Sequence, residues 1–131
     1  MSELIWGNEK FALRVLLDAS LPVGTALACP ADWSRSSGES VEYHPLVEAL
    51  TVETGRSRTN TRLDRTAIGA ALRYVRHSVS EEGGWRSLRI EQFAPEFGLE
   101  AVTLLRQRDG VGAIRFATTL RNRGERTLSL T

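Results

Sequence analysis

Three turn signatures in the second half of the chain constrain its fold more than anything else in it. Gly83-Gly84 separates residues 72–79 from 85–93, Pro95-Glu96-Phe97-Gly98 leads into 99–107, and Asp109-Gly110 leads into 111–121. Short glycine-bearing turns of this kind join strands, because the reversal needs left-handed backbone that glycine adopts without a steric cost. Connections so short have no room for a crossover helix, so the strands they join must run antiparallel. The last strand has the clearest alternation, with Ile114, Phe116, Thr118 and Leu120 on one face and Arg115, Ala117, Thr119 and Arg121 on the other. That apolar face is expected to build the core. Asn122-Arg123-Gly124 then supplies a further turn before 127–130.

The first half is less regular. Residues 10–17, KFALRVLL, are apolar at 11, 13, 15 and 17, the period of a half-buried strand. Residues 20–40 carry Pro22, Gly24, Pro30, Gly38 and a serine-rich patch, and read as loop interrupted by a short strand at 26–29. Between 43 and 77 two apolar segments, 46–52 and 68–75, flank a polar run containing the turn formers Gly55, Asn60 and Asp64, with Gly69 just beyond it. They read as two strands. Leu46, Val47 and Leu50 could share a helical stripe, but Thr51, Val52 and Thr54 are β-branched and stiff in helices, and Pro45 biases its predecessor to extended geometry. The predicted class is therefore all-β and antiparallel.

At 131 residues the chain can fill one domain, and 41% hydrophobic with 25% charged residues excludes disordered and membrane classes. No stretch approaches the ~20 apolar residues of a membrane span. The opening Ser2-Glu3-Leu4 lacks a basic, then apolar, export signal, so a cytoplasmic protein is expected. Cys29 is the single cysteine and cannot close an internal disulfide. With 17 basic and 16 acidic residues there is no overall field to hold a polyanion, and neither nucleic acid nor membrane is expected as a partner. Sixteen of the basic residues are arginine and only Lys10 is lysine, which reflects either a high-GC coding sequence or, if the arginines cluster in space, bidentate recognition of phosphate or carboxylate. The chain ends at Thr131 within the strand that Leu128 and Leu130 begin, so it is expected to be the front of something longer.

Residue chemistry nominates few sites. His44, His77 and Cys29 are the strong soft-metal ligands, and none share a zinc-type spacing, so neither metal nor cofactor is expected. No Gly-x-Ser-x-Gly elbow occurs, and Gly110-Val111-Gly112 has Arg115 where a dinucleotide fingerprint would place its third glycine. Arg56, Arg58, Arg62 and Arg65 form the densest basic run but lack the interleaved aromatics of a nucleic-acid surface. Glu39, Glu42, Glu48, Glu53 and Asp64 could supply the paired carboxylates of a glycosidase, yet no spacing singles out a pair. Of Trp6, Trp33 and Trp85, Trp33 stands out as a ligand contact because it sits in a polar loop, whereas Trp85 beside Gly84 reads as core or edge packing.

The order and spacing of several short motifs resemble the N-terminal domain of family 36 glycoside hydrolases, the bacterial-type α-galactosidases (melibiases). They are His44-Pro45-Leu46-Val47-Glu48, Thr61-Arg62, Thr66-Ala67-Ile68-Gly69, Leu72-Arg73-Tyr74-Val75 with His77, Gly84-Trp85, Leu88, Gly98-Leu99, and Leu120-Arg121-Asn122-Arg123-Gly124 with Leu128. The resemblance covers the chain from about residue 40 onward. It implies a β-supersandwich of galactose-mutarotase type, incomplete at its C-terminal end, with residues 1–131 forming its N-terminal part. It also implies that a following (β/α)₈ barrel, absent here, carries both catalytic aspartates and performs retaining hydrolysis of α-galactosides. No residue of this chain is then catalytic. Relatives are often homo-oligomers in which a loop of this domain approaches a neighbour's sugar site, and the matching loop here is Glu42-Tyr43-His44, where many relatives carry Asp-aromatic-Arg. Trp33, Glu42, Tyr43 and His44 are thus the substrate-adjacent candidates. Two other readings stay open: a free-standing carbohydrate-binding sandwich using Trp33 and Tyr43, and an aldose mutarotase-like enzyme, which would need acid and base side chains on facing strands with only His44 and His77 as histidines.

Overall fold

At Gly83 and Gly84 the backbone angle φ is +59° and +82°, the left-handed geometry that lets two residues reverse a twisted strand. This turn joins β5 (Arg73–Glu82) to β6 (Trp85–Ala94), and the computed structural model continues the meander through β7 (Leu99–Arg108) and β8 (Arg115–Asn122). Residues 2–28, 42–51 and 66–130 are described. The first half forms a second meander, β1 (Ser2–Gly7), β2 (Ala12–Leu17), β3 (Gly24–Ala28) and β4 (His44–Pro45). Each sheet has four strands in sequence order, every pairing antiparallel. The all-β antiparallel class expected from the turns is the one adopted, and the two sheets form a sandwich.

Several local expectations are corrected. β1 lies ahead of the first strand read from the pattern, because Leu4 and Trp6 face inward while Ile5 shares its row with Glu3 and blurs the alternation. Residues 46–50 form no strand, and the β-pairing described at 127–130 is an isolated antiparallel bridge between Thr51 and Leu130, while Leu128 packs against the core. Residues 68–75 divide into a short helix α1 (Ala67–Ala71) and the start of β5. Thr66 caps the helix by accepting from Gly69 N at 2.9 Å, and Ile68 is the one β-branched residue among three alanines, so local propensity favours the turn of helix. The strand expected at 111–121 starts only at Arg115. The short strand at 26–29 is part of β3, while Cys29 and the polar run 52–65 fall outside the described residues.

The inward row of the second sheet is covered in two parts. Toward one end Leu88, Ile90 and Leu105 pack against Trp6, Leu13, Val15, Leu17 and Val23 of the first sheet. Toward the other, Ala94, Leu99 and Ala101 pack against Val47, Ile68, Ala71 and Leu72, the small alanines letting α1 approach closely. The apolar row of β8 is not the core that its alternation predicts. Phe116 is 50% exposed and Leu120 half-buried, since the layer above the sheet is narrower than its four strands.

One end of the sandwich is closed by polar contacts. Asn8, in the β1–β2 turn, accepts from Lys10 N at 2.9 Å and Phe11 N at 3.0 Å through Oδ1. Its Nδ2 donates to Val111 O at 2.9 Å and Arg108 O at 3.4 Å, which holds residue 111 out of the β-ladder. Gln107 Nε2 donates to Phe11 O at 2.9 Å, and Arg86 Nη1 to Gly7 O at 2.5 Å. Because Asn8 is buried, Asn8→Ala strands backbone donors and acceptors of both hairpins without water. The expected loss is about 2–3 kcal/mol of unfolding free energy, read from urea denaturation; a loss below about 0.5 kcal/mol, the scale of an ordinary surface substitution, would mean that the contacts do not join the sheets.

Candidate functional site

β4 brings residues 42–45 to the edge of the first sheet. His44 pairs with Thr25 and Pro45 with Gly24, an edge position that tolerates a residue without an N–H. Leu46 N donates to Val23 O at 2.8 Å and fixes the chain beyond it. Tyr43 lies across Gly24 so closely that a Cβ built on that glycine would come within 2.8 Å of Tyr43 Cβ. Its phenol reaches back over the outer face to β1, where the hydroxyl donates to the Glu3 carboxylate. The other Glu3 oxygen lies 3.8 Å from Arg14 Nη1 on β2, and Arg14 is only 8% exposed.

Among the described residues, then, Tyr43 is gathered with Glu3 and Arg14, whereas Glu42 and His44 flank it on the same edge with exposed side chains. Trp33 lies outside the described residues. Glu3 and Arg14 escaped the sequence reading. The available signal was Arg14, the one charge inside the apolar run 11–17, which is buried on both faces and not half-buried as expected.

Burial, reinforced by the hydrogen bond to Glu3 and its negative charge, pushes the Tyr43 phenol up to about 12. At neutral pH it is a hydrogen-bond donor with a rigid ring, not a base. The native state keeps its proton where the unfolded chain, at 10.0, has lost it, so stability should fall as pH rises from 10.0 to about 12. Tyrosinate absorbance is expected to show one late-ionising tyrosine that disappears in Tyr43→Phe; a wild-type titration with no late step would refute the contact.

The other nominated groups have ordinary placements. Trp6 is in the core. Glu48 accepts from Thr66 N at 2.9 Å and ties the start of α1, while Glu39, Glu53, Asp64 and the arginines at 56, 58, 62 and 65 lie outside the described residues. His77 on β5 and His44 on β4 belong to different sheets. A bulge between Tyr74 and Arg76 puts Tyr74 in reach of His77, with its hydroxyl 2.8 Å from Nδ1. Among the described residues no cluster of three or more His, Cys, Asp or Glu could hold a metal, and no helix is long and apolar enough to cross a membrane.

The outer face of the second sheet carries a charge lattice. Arg76 and Arg89 both engage Glu91, Arg89 at 2.7 Å, and Arg123 engages Glu100 at 2.6 Å. The hydrogen bond from Arg76 is the main influence that holds the Glu91 carboxyl below the usual range. At the opposite end of this face Trp85, half-buried, has the Arg106 guanidinium 4.7 Å and the Arg108 guanidinium 5.8 Å from its ring centre.

Fold and site together define an antiparallel two-sheet sandwich with a tyrosine-bearing edge and a tryptophan–arginine face. No protein-family model, curated protein or solved structure matches the chain.

Proposed function

We propose that the chain is a non-catalytic N-terminal β-sandwich portion of an α-galactosidase-type glycoside hydrolase, and that it presents the edge segment Glu42-Tyr43-His44 to a galactoside in the assembled enzyme. One observation carries this reading: the segment singled out by the motif order lies on an exposed sheet edge with its central ring fixed by Gly24, Glu3 and Arg14. An aromatic ring held rigid beside an exposed carboxylate is the kind of surface that can position a sugar without reacting with it. The proposed enzyme is cytoplasmic and homo-oligomeric, and its hydrolytic carboxylates lie in the barrel. A stand-alone carbohydrate-binding sandwich is the second reading, favoured by the two cores that the described residues close by themselves.

The test is calorimetric titration of the 131-residue chain with methyl α-galactoside, for wild type, Glu42→Ala and Tyr43→Phe. Weak binding, with Kd on the order of 1 mM and reduced about tenfold or more in either variant, supports a galactoside-facing edge. Affinity that neither variant alters would remove this edge from the sugar site. Tight binding by the isolated chain would favour the stand-alone module.

A further inference from the structure

Net charge hides an imbalance on the outer face of the second sheet. The register sets Trp85 opposite Arg108, Ser87 opposite Arg106, and Arg106 opposite Arg115. Side chains at such paired positions project from one face. At the far end of that face each carboxylate, Glu91 and Glu100, is matched by arginine. Among the described residues of this face Arg106, Arg108, Arg115 and, at the far end, Arg121 have no ion-pair partner; the single carboxylate in register with Trp85, Glu82 on β5, makes no ion pair, and the nearby Asp109 faces Arg86 at 3.5 Å. Two like charges directly opposite on neighbouring strands destabilise the sheet, so the fold alone gives no reason for Arg106 and Arg115 to face each other.

We propose that this face binds single-stranded nucleic acid without sequence preference. A guanidinium lying over an indole ring is held flat, yet its N–H edges stay free to bridge phosphate oxygens in a bidentate fork. Its outer plane is a stacking surface for a base. The Arg106 guanidinium lies over Trp85 at 4.7 Å from the ring centre, and Arg108 and Arg115 add charge along and across the strands where a phosphodiester backbone would run. A neutral sugar has no use for three uncompensated cations, and the Trp85 face it would stack on has Arg106 lying over it. Combined stacking and phosphate contact is what single-stranded binders use in place of base-edge readout.

The probe is a fluorescein-labelled thymidine oligonucleotide of about 12 nucleotides, titrated with the full chain by anisotropy. Three phosphate contacts predict a plot of log affinity against log salt with a slope of about −2 between roughly 50 and 200 mM salt. The double variant R106Q/R115Q is expected to weaken binding by about tenfold or more, with its Tm unchanged or raised because the like-charge pair is gone. Arg89→Gln, whose guanidinium is held 2.7 Å from Glu91 at the compensated end, should change affinity by less than about twofold. Absence of binding at low salt overturns the proposal, as does binding that R106Q/R115Q leaves intact. Equal affinity for heparin or for an abasic phosphodiester strand also overturns it, because stacking would then play no part.

Discussion

Leu105→Ala is expected to remove about 3–5 kcal/mol of unfolding free energy, a large share of what a domain of this size possesses. Leu105 is fully buried and projects from β7 into the cluster where Leu88 and Ile90 meet Trp6, Leu13 and Val15. Neither neighbour can fill the space. Leu88 and Ile90 are held by the β5 and β7 ladders on either side of β6, and the facing strands are pinned by Asn8 and Arg86 at the end of the sandwich. The cavity therefore stays open and adds to the lost transfer energy. Equilibrium urea unfolding followed by tryptophan fluorescence reads the effect. A loss under about 1.5 kcal/mol, as volume-conserving swaps give, would show that the two sheets can slide together and that the core is less fixed than described.

Gly7→Ala is expected to cost about 3–5 kcal/mol and to leave little folded protein at 37 °C. At φ +142° the backbone of Gly7 occupies a region that side chains rarely tolerate, and an added Cβ would lie 2.4 Å from Phe11 O and 2.5 Å from Ala12 Cα. Both are main-chain atoms, at the end of the β1–β2 turn and the start of β2, so no rotamer change relieves the clash. Phe11 O is also the acceptor for Asn8 N at 3.1 Å and for Gln107 Nε2 at 2.9 Å, so moving it disturbs the hairpin and the inter-sheet contact together. Circular dichroism melting checks this. A variant melting within a few degrees of wild type, equivalent to about 1 kcal/mol or less, would show that the turn can re-form around a side chain.

Most of the second sheet was legible because its information is local. Gly83-Gly84, Pro95–Gly98 and Asp109-Gly110 dictate reversals through the backbone of the residues themselves, whatever the rest of the chain does. The delayed start of β8 was not legible, because its cause is Asn8, a residue about a hundred positions away whose amide takes the Val111 carbonyl. The helix at Ala67–Ala71 was misread for a different reason. Thr66 could belong to a strand or cap a helix, and only its acceptance from Gly69 N decides. Alternation likewise shows that Phe116 and Thr118 share a face but not that the layer above is too narrow to cover them. At the candidate site Tyr43 was found from the resemblance, while Glu3 and Arg14 come from strands that only the pairing β1–β2–β3–β4 brings alongside it. The Trp85–Arg106 contact was similarly hidden by a cross-strand separation of more than twenty residues.

Among the described residues every strand of each sheet is bonded to its sequence neighbours and to no other strand. Such an order keeps most of the loops that must close during assembly short; the exceptions are the connection 29–43 between β3 and β4 and the event in which the two meanders meet. Hairpins of this kind form in about 1–10 μs, far faster than non-local sandwiches assemble. Apart from the addition of the two-residue strand β4, the search is concentrated in one docking step, in which Asn8, Arg86 and the Leu105 cluster engage almost together. Before that step each meander is a separate sheet with one bare apolar face. The time spent there, more than the stability of the finished sandwich, sets how exposed the chain is to pairing with another copy of itself.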